Sequence, residues 1–373
     1  MKEAIIIGWV NHKHPAVCGE TMKNQLMINK LEENGIKCLV MDFYKWRSHP
    51  WVLVKLLYAL LFHRNASLIF CTSTQNVYPM MKVMKTVSWK QHTIHWVIGG
   101  SLGDKVQNGT FDSKVIGYMN WTLVESNIMV EQLTKAGVKN VIQVPNFKPI
   151  PYMPQVEKRH NKLRFVFLSR IMPEKGCDYI IECANTLNKK GLTDKYEIDF
   201  YGEVAESYEN VFNSKLTTLA NVNYKGFLNL RESKGYDTLS TYDMMLFPTY
   251  WKGEGFAGIF IDAFISGVPI IASEWAHNRQ FLKEGKTALF VPIHNTTALA
   301  DMMEECINGQ YNLSEMAIEC QKEAEKYDVK NILVLQNWLE RIRKEVINKA
   351  LSIKRISEFL NFPILAQPTL KKI

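Results

Sequence analysis

Phe247-Pro-Thr-Tyr-Trp-Lys-Gly-Glu-Gly-Phe-Ala-Gly-Ile-Phe-Ile-Asp-Ala-Phe-Ile-Ser-Gly-Val-Pro-Ile-Ile-Ala-Ser273 decides how this chain folds. The apolar run Met244–Phe247 predicts a strand that Pro248 ends, and a loop with glycines at 253, 255 and 258 follows. A helix is predicted from near Gly258 to Gly267, and Ile270–Ala272 is the next strand. A glycine-rich loop opening a helix exposes backbone N–H groups and the positive end of the helix dipole, which suits phosphate. Glu254 and Asp262 bracket that loop, eight positions apart. A carboxylate near a helix start is also a common cap, so spacing alone leaves both roles open.

The same pattern recurs outward in both directions. Arg164–Leu168 predicts a strand, Ser169–Gly176 a loop, a helix follows near Asp178–Asn188, and Glu197–Tyr201 is the next strand. Ala288–Val291 supplies one more strand. Near the N-terminus, Ala4–Ile7 ends at Gly8, a loop with Pro15 and Gly19 leads to a helix from Thr21 to Gly35, and Lys37–Met41 is a strand. Alternating strands and helices predict an α/β chain with doubly wound parallel sheets in both halves. The prolines at 145, 149, 151 and 154 mark a linker that runs on through polar residues to Asn161. We expect a first domain over 1–150, a second over 151–330, and a C-terminal helical segment over 331–373 that packs back across both.

Two segments carry a resemblance. The acid pair around Gly255-Phe256-Ala257-Gly258 is similar to the donor motif of retaining GT-B glycosyltransferases of family 4, of the capsule and exopolysaccharide type. The family usually has Glu where this chain has Asp262. Leu168-Ser-Arg-Ile-Met-Pro-Glu-Lys-Gly176 resembles the family's Arg and Lys pair. Lys225-Gly-Phe227 and Gly267–Ser273 match in the second half, and Glu125-Ser126 and Val144-Pro-Asn146 match in the first.

The resemblance implies a GT-B fold of two facing Rossmann-like domains, and transfer of a hexose from a nucleotide diphosphate sugar, UDP-sugar foremost, to a saccharide acceptor. It implies that Glu254 bonds sugar hydroxyls, that the amides of Gly255, Phe256, Ala257 and Gly258 cradle sugar and phosphate, and that Asp262 holds the ribose. Arg170 and Lys175 would neutralise the departing diphosphate, and Gly19 would lie near the donor. Physical chemistry agrees on the cations, since two bases five apart on one loop can offset the charge that develops there. No Asp-x-Asp occurs, so the metal-carboxylate site of GT-A transferases is missing, and no metal or cofactor is expected. Many relatives carry a His after the strand matching Thr93–Ile98. This chain has Gly99-Gly-Ser101, so Gly99 and Gly100 are expected to bring backbone amides to the sugar or acceptor, while His95, mid-strand, is expected to be packed.

Charge divides unevenly. The net +8 resides in residues 1–150, which hold 17 Lys and Arg against 9 Asp and Glu, whereas residues 151–373 hold 28 of each. Between Asp42 and Asp104 stand seven bases and no acid. Inside that stretch Trp51–Phe62 is apolar almost all round, with Lys55 interrupting it. Two readings stay open: a buried helix of the α/β core, or a helix lying on an anionic membrane surface with Trp46 and Trp51 at headgroup level. The second would suit a lipid-linked acceptor at the inner face of the plasma membrane. Nucleic acid is a weaker explanation, because no binding motif accompanies the bases.

At 47% apolar and 22% charged, the 373 residues exclude disorder and collagen-like or repeat architectures. No apolar run reaches the roughly 20 residues of a spanning helix and no secretory pattern opens the chain, so it is expected to be cytoplasmic. Seven cysteines without C-x-x-C spacing predict reduced, mostly packed thiols. A nucleotide-sugar epimerase of the same fold and a catalytically silent partner subunit remain rival readings. A nicotinamide dehydrogenase is disfavoured, because G-x-G-x-x-G is missing at both strand-loop-helix starts.

Overall fold

A computed structural model describes residues 2–16, 18–156 and 161–332, and the expected C-terminal helical segment lies outside the described residues from 333 onward. The first half builds a sheet from β1 (Glu3–Gly8), β2 (Lys37–Asp42), β3 (Ser67–Thr72), β4 (Thr93–Val97), β5 (Trp121–Val124) and β6 (Val141–Gln143). The second half builds another from β7 (Leu163–Leu168), β8 (Tyr196–Tyr201), β9 (Val222–Tyr224), β10 (Met244–Phe247), β11 (Ile270–Ser273) and β12 (Ala288–Val291). Their orders are β2-β1-β3-β4-β5-β6 and β12-β11-β10-β7-β8-β9, and every paired strand runs parallel. This is the doubly wound α/β architecture expected from the alternation of elements.

Parallel strands covered by helices on both faces are buried and largely apolar, and the central ones are. All residues of β3, β4, β10 and β11 are buried. In the second sheet the order reverses between β7 and β10, and a crevice opens at the carboxyl ends of the strands where an order reverses. The loops after β7 and β10 are Ser169–Gly176 and Pro248–Ala257, the two segments singled out from the sequence. The Cys177–Lys189 helix follows the first loop and the Gly258–Ile265 helix the second, which Gly267 ends with φ +61°.

The halves are joined through the linker and the end of the described chain. Lys148 N–H donates to Tyr327 O and Val329 N–H donates to Lys148 O, a two-bond clip between them.

One expectation is overturned. The helix Trp51–Phe62 is not a buried core helix: only Val52 and Ala59 are buried, while Trp51 is 73% and Phe62 70% exposed. The physical reason is its place in the layer, against β2 at the edge of the first sheet. Val52, Leu56, Ala59 and Leu60 repeat at helical spacing and suffice to meet that edge. Among the described residues, the remaining apolar side chains have nothing to cover.

Candidate active site

The loop after β7 is shaped by Gly176, which has φ +83° and would place a Cβ 2.3 Å from Pro248 O. A side chain is excluded on both grounds, so the β7 and β10 loops lie in direct contact. Tyr250 N–H donates to Glu174 O at 2.9 Å and ties them together. Across this junction Lys175 Nζ meets Glu254 Oε2 at 2.6 Å, with both side chains largely buried. Thr249 Oγ1 donates to the same carboxylate oxygen at 3.1 Å. A buried carboxylate needs such partners, and the pair leaves Glu254 fixed at the switch point. Arg170 is exposed on the same loop and pairs with no carboxylate among the described residues. Its guanidinium is available to an incoming anion.

Asp262 sits in the second turn of the Gly258–Ile265 helix and is 2% exposed. Lys148 forms an ion pair with one oxygen and Tyr236 OH donates to the other at 3.0 Å. Burial and the neighbouring carboxylate push the Tyr236 phenol well above its ordinary range. Asp262 therefore ties its helix to the linker residue Lys148, with each carboxylate oxygen held by one of these partners.

The first half closes on the loop after β10. A Cβ at Gly100 would lie 2.1 Å from Glu254 O, and one at Gly99, where φ is +94°, would lie 3.7 Å from Gly253 O. The two glycines meet the backbone of the loop itself, where the sequence predicted contact with sugar or acceptor. Phe256 N–H, expected to face the donor, donates instead to Glu125 Oε2 at 3.0 Å, and Asn146 Nδ2 donates to Phe256 O at 3.1 Å. Gly258 has room, with Asn146 Nδ2 3.5 Å from the position of an added Cβ, and Ala257 is the N-cap of the helix. Gly19 opens the helix Gly19–Glu33 and faces open space.

Residues with no role assigned from sequence thus complete the site: Glu125, its partner Lys23, Asn146 and Lys148. The signal for Glu125 and Asn146 was the resemblance of Glu125-Ser126 and Val144-Pro-Asn146 to the family, and in the structure each follows a strand of the first sheet directly or within three residues. Lys23 sits mid-helix in a polar-looking face and carried no signal. His95 is fully buried, its Nε2 lies 3.4 Å from Thr74 Oγ1, and burial pushes it down to about 3, so it is packed and neutral. Beside Gly99 a small open pocket is lined by Thr74, Ser101, Lys105 and Phe111, among others. Among the described residues no three His, Cys, Asp or Glu side chains gather into a metal-ligating group.

Comparison with known proteins bears on this geometry. Residues 151–327 match the family of glycosyl transferases group 1. That group 1 segment spans the second sheet and both loops of the switch point. A curated relative, the poly(ribitol-phosphate) alpha-N-acetylglucosaminyltransferase of Staphylococcus aureus strain COL, is 26% identical over 215 residues, which is 56% of this chain and 40% of that protein. The chain thus spans about two-fifths of that relative. Among solved structures, HepE of Anabaena in complex with UDP superposes with a TM-score of 0.65 at 13% identity, covering 92% of this chain and 100% of that one. TarM superposes with a TM-score of 0.62 at 18% identity, covering 78% and 58%. The fold is GT-B.

Proposed function

We propose that this protein is a glycosyltransferase that moves a sugar from a nucleotide diphosphate sugar to a saccharide acceptor with retention at the anomeric carbon. The observation that carries the reading is the Lys175–Glu254 pair at the switch point of a group 1 segment, with Arg170 exposed on the same loop as Lys175 and paired with no carboxylate among the described residues. In this mechanism Glu254 accepts hydrogen bonds from the sugar hydroxyls. The bond from the anomeric carbon to the diphosphate oxygen breaks, and Arg170 and Lys175 offset the charge that builds on the departing diphosphate. The acceptor oxygen bonds the same face of the anomeric carbon, and its proton passes to the diphosphate oxygen. The closed halves exclude water, which would otherwise compete as acceptor.

The acceptor is lipid-linked and anionic, met at the inner face of the plasma membrane in capsule or exopolysaccharide assembly. What supports this is the acid-free stretch between Asp42 and Asp104 together with the exposed apolar face of the Trp51–Phe62 helix inside it. The name of the Staphylococcus aureus relative assigns that protein a polyanionic acceptor. The pocket beside Gly99, with Lys105 on its wall, is where such an acceptor would enter.

A panel of nucleotide sugars, each added to the full chain in a thermal melt, tests the donor half of the reading. A ligand that binds the native state alone raises the melting temperature, so at least one UDP-sugar stabilises the wild type and stabilises Arg170→Ala less. No shift with any nucleotide sugar contradicts the proposal.

A further inference from the structure

Glu125 stands at the end of β5, in the half that does not carry the group 1 segment. Its Oε1 accepts from Lys23 Nζ at 2.7 Å, and both residues are almost wholly buried. Lys23 in turn lies 5.7 Å from the centre of the Trp96 ring. The other oxygen, Oε2, accepts from Phe256 N–H across the cleft at 3.0 Å. Around that bond the loop is gripped on further sides. Asn146 holds Phe256 O, a Cβ at Gly255 would lie 2.5 Å from Glu125 Oε2, and Gly100 abuts Glu254 O. On the far side the Phe256 ring stacks on Phe281, with centroids 3.9 Å apart and planes 4° apart.

We propose that Glu125, held by Lys23, is a positioning residue: it clasps the Phe256 amide and so sets the loop that aims Glu254 only when the two halves are closed. This rests on the reading of that loop as the donor loop. A buried ion pair is costly unless its remaining lone pairs are used, and the Phe256 amide uses one of them. When the halves part, the amide loses its acceptor and Glu254, two residues away, loses its fixed placement. Closure and assembly of the site thereby become one event, which protects a bound donor from water in the open state.

Two double variants of the full chain separate this from a packing role. Lys23→Met with Glu125→Gln removes both charges but keeps an oxygen for the Phe256 amide, whereas Lys23→Met with Glu125→Leu removes the acceptor as well. Hydrogen exchange by mass spectrometry over 253–258 is expected to stay near wild type in the first and to quicken roughly tenfold in the second. In transfer assays the second variant is expected to lose kcat by roughly 10- to 100-fold, with the donor KM changed less. Equal exchange in the two variants overturns the clasp. If either variant does not fold, Gly100→Ala leaves the ion pair intact but drives a Cβ into Glu254 O. It is expected to quicken exchange over 253–258 likewise, and wild-type exchange there overturns the proposal. Exchange is read without any nucleotide sugar. A protected amide in a chain that transfers no sugar overturns the activity alone, and a freely exchanging wild-type amide overturns the clasp alone.

Discussion

The helices Trp51–Phe62 and Gly258–Ile265 are both apolar but for one charged residue, Lys55 in the first and Asp262 in the second, and they meet opposite fates. Six of the eight residues of the second are buried, and its charge is paired with Lys148. The first buries two of twelve and leaves Lys55 exposed. The second lies between the sheet and the Leu313–Ala324 helix, so every face has something to cover. The first lies against an edge strand. Composition sets how much apolar surface a helix offers, and its place in the layers sets how much is taken. Under the proposed function, the buried helix would hold the loop before it, and the exposed one would be the face offered to a membrane surface.

The sharpest way to break that contrast is to cut the same kind of side chain from each. Phe260→Ala, in the buried helix, is expected to cost about 3–5 kcal/mol in urea unfolding, whereas Leu57→Ala in the exposed one stays within about 0.5 kcal/mol. Similar losses at both sites would mean that the first helix is covered in solution.

Membrane affinity tests the exposed helix from the other side. The wild type is expected to sediment with vesicles containing anionic lipid and to be released by salt. Leu57→Ser with Phe62→Ser should weaken that binding roughly a hundredfold or more, since each side chain contributes about 1.5–3 kcal/mol when buried in the acyl boundary. Melting temperatures should not change. Equal and negligible sedimentation with neutral and anionic vesicles would remove the membrane from the account.

A smaller effect belongs to Glu20 in the first turn of the Gly19–Glu33 helix. Burial pushes its carboxyl up from 4.5 to about 6, and Oε1 has no hydrogen-bond partner among the described residues. Because the native state binds this proton more tightly than the unfolded chain, stability falls as pH rises from about 4.5 through 6. Glu20→Gln is therefore expected to stabilise the protein by about 2 kcal/mol at pH 8 and by nearly nothing at pH 4. A gain independent of pH would assign the effect to something other than ionisation.

Much of this was legible in the sequence, unevenly. Most strands of the second sheet, and β1, β2 and β4 of the first, declared themselves as short apolar runs, while β3, β5, β6 and β9 did not. Lys175 and Glu254 lie 79 positions apart; the resemblance of their two segments marked both, and the structure brings them together because each sits on a loop after a strand that topology makes adjacent. Lys23 escaped, and Glu125 was marked only within a matching segment and given no role, because their roles depend on a contact between the two halves, which no local pattern encodes. The twelve residues from Trp51 left two readings open, since an all-apolar helix over an edge strand and one over a sheet centre have the same sequence character.

The account's central claim is that the switch-point cations hold the diphosphate of a sugar donor. Release of nucleotide diphosphate from a panel of nucleotide sugars, in the presence of saccharide acceptors, by wild type and by Arg170→Ala at equal concentration, tests it most directly. Arg170 is exposed, so its loss should leave the melting temperature unchanged. We expect release from at least one UDP-sugar by the wild type and a loss of roughly a hundredfold or more in the variant. Equal rates from the two proteins, or no release from any nucleotide sugar, would contradict it.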